Sequence, residues 1–403
     1  MILLQKITGP DARAEAWSAI WGGHWAESQV VVLLAATATA EVPGISAAGA
    51  TPESRRQTAA ADAELLLLGP AGPRPHALPP LPAGVSPALI SHVVLRELKL
   101  TPLVIDLGCA VPPAIPHLRP GRGAGAGPSR HLCGGDAMDA GRVVELLRLG
   151  GRWGRSMARR SPPRPLLVAE CVPGGTTTAQ AVLTGLGVEA AGLVSGSLRQ
   201  PAHELKAALV AEGLAAAGLT GPLPEVETDG ERVVAAVGDP MQPLAAGLVM
   251  AAAEAGIPVL LAGGSQMAAV MALALALAPI PVRHRIASLV ALGTTSWVAG
   301  EAGSDLSLLL ERIGERWGVS PLAFSAGLRF PDPIHPALSC YERGYVKEGV
   351  GAGGLALLWQ LSGRTPHQLA RACDLSCREL LEPAPLRLPP PPGARGHLRS
   401  SHG

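Results

Sequence analysis

The sequence predicts an α/β fold, a mostly parallel sheet with helices on both faces in a Rossmann-like three-layer arrangement, with small helical elements added from the termini. Three observations predict it. A short β-branched or Leu-rich run is followed repeatedly by a turn of small and polar residues and then by an Ala/Leu-rich stretch of helical length. Several of the short runs are apolar throughout, as strands covered on both faces are. Aromatic residues make up only 3% of the 403 positions against 49 glycines, so the core must be built from closely packed Ala, Leu and Val. That suits helices on a parallel sheet and disfavours a β-sandwich.

Taken in order, strands are predicted at residues 30–34, 65–68, 103–105, 166–169, 192–195, 233–237, 259–261 and 287–292. Helices are predicted at 178–186, 202–215, 244–255 and 265–278. Sheets of this kind place ligands at the carboxyl ends of their strands. Residues 111–135, dense in Pro and Gly, predict a long loop, either mobile or ordered by ligand. Residues 1–384 are expected to form one domain, with a disordered Pro-rich tail at 385–403.

Composition excludes several classes. With 48% hydrophobic and 16% charged residues and a mean hydropathy of +0.28, the bulk of the chain is not intrinsically disordered. Thirty-three Lys plus Arg against thirty-two Asp plus Glu leave +1, mostly scattered, so neither a nucleic acid nor a membrane surface is expected as partner. The one basic cluster, Arg152, Arg155, Arg159, Arg160 and Arg164, reads as the solvated face of a connecting helix. Six dispersed cysteines without Cys-x-x-Cys spacing point to reduced thiols and a cytoplasmic protein. Eleven histidines without ligand spacing predict no metal, and no other cofactor is called for. Glu15, Trp17 and His24 interrupt any secretory signal, and the apolar run 267–278 is short of the ~20 residues that span a bilayer.

The strongest local signal is PLLVAECVPGGTTTAQAV, residues 165–182: an apolar strand, Glu170 at its end, then Gly174, Gly175, Thr176, Thr177 and Thr178 opening a helix. Glycines let a ligand approach the backbone, while free N–H groups and threonine hydroxyls at a helix start can hold a phosphate. No Lys follows the glycines, so the phosphate of a small nucleotide or sugar is preferred to a Walker-type loop. The alternative is a tight strand-to-helix turn with threonine caps. A second signal is YVKEGVGAGG, residues 345–354, where Lys347 and Glu348 precede Gly349, Gly351, Gly353 and Gly354. It contains G-x-G-x-x-G, with Asp374 twenty residues beyond the last glycine, yet no buried strand precedes it and Asp374 falls in a helical stretch. What remains is a carboxylate beside a donor-rich loop, with a solvated surface Glu as the alternative.

Other turns follow strand candidates: VSGS at 194–197, VGDPMQP at 237–243, AGGSQM at 262–267 and GTTSW at 293–297. A parallel sheet would gather them at one edge, bringing Ser195, Asp239, Gly263 and Gly264 to a pocket with Glu170 and Glu348. Lys206, on the helix after VSGS, can reach an anion near that helix's start. Arg55 and Arg56 are open between pairing with an anion and lying on a helix surface.

The segments PGISAAGATPESRR, ECVPGGTTTAQAVLTGLG, VSGS with His203 and Lys206, VGDPMQP, AGGSQM and YVKEGVGAGG resemble, in that order, a family of uncharacterised proteins related to nicotinate-nucleotide:dimethylbenzimidazole phosphoribosyltransferase. The resemblance covers roughly residues 30–365. It implies transfer of phosphoribose from nicotinate mononucleotide to a lower-ligand base, a benzimidazole or purine, in cobamide assembly. It also implies a homodimer. In the related transferases a Leu-Gly-Glu-Gly-type segment supplies the general base, and Glu348 is the matching position. A Gly-Glu-Met-Gly-Ile-Gly-Asn-Thr-Thr-type segment matches Glu170 through Thr177, which makes Glu170 the second carboxylate and Gly174 to Thr177 the phosphate contact. Lys206 matches a lysine near the product phosphate, and Gly349 and Gly351, in the loop after Glu348, are expected among the phosphate- or substrate-binding residues. The chain departs from the transferases at Cys171, Val172, Pro173 and Gly175, and VGDPMQP replaces a Gly-Phe-Glu-type segment. A non-catalytic binder of a nucleotide or sugar phosphate is the second reading, and a dinucleotide oxidoreductase the third.

Overall fold

The computed structural model describes residues 4–79, 81, 84–121, 126–159, 164–220 and 229–382. In chain order the first half runs β1 (Gln5–Thr8), α1 (Asp11–His24), β2 (Gln29–Leu34), α2 (Pro52–Leu68), α3 (Ala88–Leu98), β3 (Leu103–Asp106), α4 (Ala140–Ala158), β4 (Leu166–Cys171), α5 (Gly175–Gly185) and α6 (His203–Ala216). Then come α7 (Gly230–Val237), α8 (Met241–Glu254), β5 (Val259–Ala262), α9 (Ser265–Leu277), α10 (Ile280–Leu289), β6 (Val290–Thr294) and α11 (Ser296–Ala299). The chain closes with α12 (Leu306–Trp317), β7 (Leu322–Ser325), α13 (Ser339–Glu342), α14 (Ala352–Leu361) and α15 (Pro366–Leu381).

The strands form one seven-stranded sheet in the order β1-β7-β6-β5-β4-β2-β3, antiparallel only between β1 and β7. Leu33 pairs with Glu170, Ala169 with Ala262, and Ala262 with Gly293, so the central strands end level with one another. After β2 the chain adds β3 on one side and returns to place β4 on the other. Such a reversal of strand order opens a crevice at the carboxyl ends. Helices cover both faces, as predicted. Val31, Val168 and Leu261 pack with α4, α5, α8 and α9, while Val32, Leu167, Ala169 and Leu260 pack with α1, α3, α14 and α15. Gly150 and Gly154 let α4 lie directly on the backbone of α8.

Five strand predictions hold in position: 30–34, 103–105, 166–169, 259–261 and the second half of 287–292, whose first three residues finish α10. Three fail. Residues 65–68 end α2, a helix begun by the reciprocal capping of Thr51 and Ser54 with Pro52 in its first turn and stopped at Gly69, where φ is 79°. The β-branched run 233–237 is helical because Asp229 caps the Arg232 N–H at 3.0 Å and starts α7 just upstream. Residues 192–195 turn irregularly from Gly192 and pair with no strand. Strands β1 and β7 were not signalled: β1, at the sheet's edge, is polar and partly exposed, and β7, between β1 and β6, has only four residues.

The described parts of 111–135 are fastened. Leu118 bridges to Ile105, Ser129 bridges to Thr37, and the buried Glu64 accepts the Ala114 N–H at 2.9 Å. Residues 122–125 of that loop, the predicted tail 385–403 and Arg160 lie outside the described residues. Arg152, Arg155 and Arg159 are exposed on and beside α4, as a solvated face should be. No helix among the described residues is long and apolar enough to cross a membrane, and none of the six cysteines is in a disulfide.

Candidate active site

A cavity of about 320 Å³ opens at the carboxyl ends of β2, β4 and β5, within the ~300 to 1,000 Å³ typical of small-molecule pockets. Of the sequence-predicted residues, Glu170, Gly174, Gly175, Thr176, Ser195, Gly264, Glu348 and Gly349 line it. Gly263, Gly351, Thr177, Asp239 and Lys206 stand behind the wall.

Glu348 is the best-held carboxylate in the site. Its Oε2 accepts the Thr294 hydroxyl and the Thr295 N–H, each at 3.0 Å, and its Oε1 accepts the N–H groups of Gly349 at 3.1 Å and Gly353 at 3.0 Å. Burial pushes its carboxyl up, and these four donors, which favour the ionised form, offset that rise only in part. Gly353 can donate because α14 rests against the end of β6: a Cβ there would lie 2.1 Å from the Thr294 carbonyl carbon. The glycines of YVKEGVGAGG thus serve close backbone approach and Glu348, and the surface alternative for Glu348 is set aside.

Glu170, 2% exposed, is held differently. Its Oε2 accepts from the Val172 N–H at 3.2 Å and from Gln266 Nε2 at 2.9 Å. Burial first, and the neighbouring Glu348 charge second, push its carboxyl up to about 8. Of the two carboxylates Glu348, with four donors to two, is the one that ionises first, and its charge helps hold the proton on Glu170.

The start of α5 forms the facing wall. Gly174 takes φ 75° and sits so close to Ala40 that a Cβ would reach within 2.8 Å of it. That turn aims the first turn of α5, with Thr176, into the cavity. Thr177 is fully buried, does not line the cavity, and its hydroxyl has no hydrogen-bond partner among the described residues. Asp239 is also buried and works structurally: its Oδ2 accepts from Thr178 Oγ1 at 2.6 Å and its Oδ1 from the Met241 N–H at 3.0 Å, joining α5 to α8. Burial raises its carboxyl to about 6.

Under the Ser195–Gly196–Ser197 turn lies a buried charged cluster. Lys206 Nζ donates to the Ser195 carbonyl at 2.7 Å, Lys347 Nζ pairs with Glu301 Oε1 at 2.9 Å, and Ser195 Oγ donates to Glu301 Oε2. A Cβ on Gly196 would come 3.3 Å from Lys206 Nζ, so this amine stands just behind the cavity wall. Burial lowers it to about 7, with Glu301 opposing and Lys347 adding to the fall. Arg55 and Arg56 part company. Arg55 is buried and donates to the carbonyls of Ala40, Val42 and Gly49, holding the β2–α2 loop, whereas Arg56 pairs with Glu41 at the surface. Among the described residues no cluster of His, Cys, Asp and Glu is arranged to hold a metal.

Sequence reasoning missed Gln266, Glu301, Thr294, Thr295 and Asp62. Gln266 and the two threonines lay inside turns already singled out, AGGSQM and GTTSW, where a carboxylate holder was legible as a residue type without its partner. Glu301 and Asp62 carried no local signal.

A family model described as phosphoribosyltransferase matches residues 90–291, half of the chain. A UPF0284 protein of Prochlorococcus marinus strain MIT 9313 is 51% identical over 377 residues, covering 92% of this chain and 91% of the relative. A UPF0284 protein of Trichodesmium erythraeum is 42% identical, covering 81% and 85%. Among solved structures, CobT from Thermus thermophilus superposes with a TM-score of 0.53 at 20% identity over 91% of this chain and 92% of that one. A nicotinate-nucleotide-dimethylbenzimidazole phosphoribosyltransferase from the same organism gives 0.51 at 20% identity, covering 90% and 96%. These two share the fold. The family model and the close relatives decide membership: the chain belongs to the UPF0284 family, within the phosphoribosyltransferases.

Proposed function

We propose that the protein transfers phosphoribose from nicotinate mononucleotide to a lower-ligand base, a benzimidazole or purine, in cobamide assembly. The observation that carries this reading is the carboxylate pair: one Glu that accepts four hydrogen bonds and ionises first, and one whose proton is held by burial, in one cavity with the first turn of α5. The fold shared with CobT, and the family's phosphoribosyltransferase description, support it.

In this reading the phosphate lies at the start of α5, where Thr176 and the positive end of the helix favour an anion, with the Lys206 amine behind the wall adding positive potential. A lone pair of the acceptor's ring nitrogen forms the new bond to the anomeric carbon. The glycosidic C–N bond breaks on the opposite face, and its electron pair returns to the nicotinate ring nitrogen. Glu348 takes the acceptor's N–H proton, and its charge favours the cationic transition state. Glu170, neutral, offers a hydrogen bond without a second negative charge beside the leaving nicotinate. The protein is proposed to act as a cytoplasmic homodimer without metal or other cofactor.

The test incubates purified protein with nicotinate mononucleotide and dimethylbenzimidazole, benzimidazole or adenine, following nicotinate release and product mass. Base-dependent release with a ribotide mass is expected. Binding of nicotinate mononucleotide without release would instead favour a non-catalytic binder.

A further inference from the structure

The cavity contains a third carboxylate that the proposed chemistry does not use. Asp62, on α2, lines it and is 6% exposed. Its Oδ1 accepts the Ser86 hydroxyl at 2.6 Å, and its Oδ2 meets only the Cys171 thiol, at 3.8 Å. A thiol is a weak donor, and a carboxylate oxygen has two lone-pair sites, so Oδ2 retains most of its accepting capacity. No Lys, Arg or His among the described residues forms an ion pair with it. Asp239, the other fully enclosed Asp near the site, spends both oxygens on protein donors and lies outside the cavity. Asp62 therefore brings to the cavity wall an oxygen that no strong donor holds, and among the described residues it is the one such carboxylate there outside the Glu170–Glu348 pair.

Its position relates it to the acceptor side. Ser86 is followed by Pro87, which packs against Gly349, and the Gly349 N–H holds Glu348. Cys171 follows Glu170 directly in β4. The same cavity carries Leu78, Leu81, Val85, Val346 and Val350, apolar surface of the kind a planar heteroaromatic ring requires, with Thr58 and Ser86 as the polar neighbours of Asp62 along the chain and in space. A buried carboxylate in such a wall is stable only where something donates to it. A ring edge bearing methyl groups would strip it of water and return no donor. An edge bearing N–H would complete it.

We propose that Asp62 selects the acceptor base, reading an N–H donor on the ring edge remote from the nitrogen that faces Glu348, so that an amino-substituted base is preferred to an alkylated one. This rests on the transferase reading for the base's identity as acceptor. Asp62 is a specificity residue here, and it takes no part in bond making.

The experiment uses the full chain and four probes: adenine, purine, benzimidazole and dimethylbenzimidazole. Binding is measured by calorimetry in the presence of nicotinate mononucleotide, and nicotinate release is measured in parallel. Wild type should bind adenine at least ~100-fold more tightly than purine, within the ceiling of about 10⁴- to 10⁵-fold for a site built to hydrogen-bond a group the analogue lacks. Asp62→Ala should bring that ratio close to one and improve relative use of dimethylbenzimidazole. Asp62→Asn, nearly isosteric, keeps the Ser86 bond and places an amide donor where Oδ2 stood, so it should lose the adenine preference even if Asp62→Ala folds poorly. Equal binding of adenine and purine by wild type, or a preference unchanged in Asp62→Asn, would overturn the proposal. Nicotinate release without an Asp62-dependent preference would remove only the role of Asp62. An Asp62-dependent preference without nicotinate release would remove only the transfer reaction.

Discussion

Glu170 and Glu348 share one cavity under opposite constraints: Glu348 accepts four hydrogen bonds, two on each oxygen, while both bonds to Glu170 fall on a single oxygen. Two carboxylates so placed do not ionise together, and the better-solvated one takes the charge. Glu348→Gln removes that charge and the proton acceptor while preserving shape. It should lower kcat by at least ~100-fold, the ordinary contribution of a positioned base, with nicotinate mononucleotide affinity changed little. Single-turnover nicotinate release and direct ligand binding, measured side by side, check this. Equal losses in both would make Glu348 a structural residue.

Glu170 makes a separate prediction about stability. Its carboxyl stands near 8 in the folded chain against an ordinary 4.5. Between those values the unfolded chain has released the proton and the folded chain keeps it, so this group makes stability fall as pH rises from about 4.5 to 8 and level off above. Glu170→Gln, which cannot ionise, should leave stability near pH 4.5 unchanged and raise it at pH 8. Urea unfolding of both proteins at several pH values gives the comparison. A Gln variant no more stable than wild type at pH 8 would mean that Glu170 ionises freely.

Much of this site was legible in the sequence because each βα turn brings its own punctuation. Glu170, Gly174, Gly175, Gly264 and Glu348 were found by turn chemistry, and the parallel sheet then placed them together. What sequence could not supply was depth. Asp239 and Ser195 sit in similar Gly- and Ser-bearing turns, yet one is spent joining two helices and the other lines the cavity. Asp62 was invisible because ADAELLLL reads as an ordinary Ala-rich helix, and only the packing of α2 against β4 brings Oδ2 toward Cys171. The failed strands share another cause. Local β-branched or Leu-rich composition was overridden by helix starts several residues upstream, at Thr51 and Asp229, which composition within the run cannot register.

Lys206 supplies the last prediction, and its sign opposes that of Glu170. Burial holds its amine near 7 against an ordinary 10.5, so between those values the unfolded chain binds a proton that the folded chain does not. Stability therefore rises with pH across that window from this group and levels off above it. Wild type should show a shallow profile between pH 7 and 8, where the carboxyl and amine effects overlap and cancel. Lys206→Met keeps the aliphatic length, removes the amine and leaves the Ser195 carbonyl without its 2.7 Å donor. It should reduce the rise above pH 8 to what Lys347, lowered by the same burial, contributes, and uncover more of the fall attributed to Glu170 between pH 7 and 8. Nicotinate mononucleotide binding separates this structural effect from an electrostatic one. If the amine acts through its charge behind the Gly196 wall, wild-type affinity should weaken as pH rises through 7 while that of Lys206→Met stays flat across the same range. A wild-type affinity as flat as the variant's would confine Lys206 to bracing the Ser195 turn.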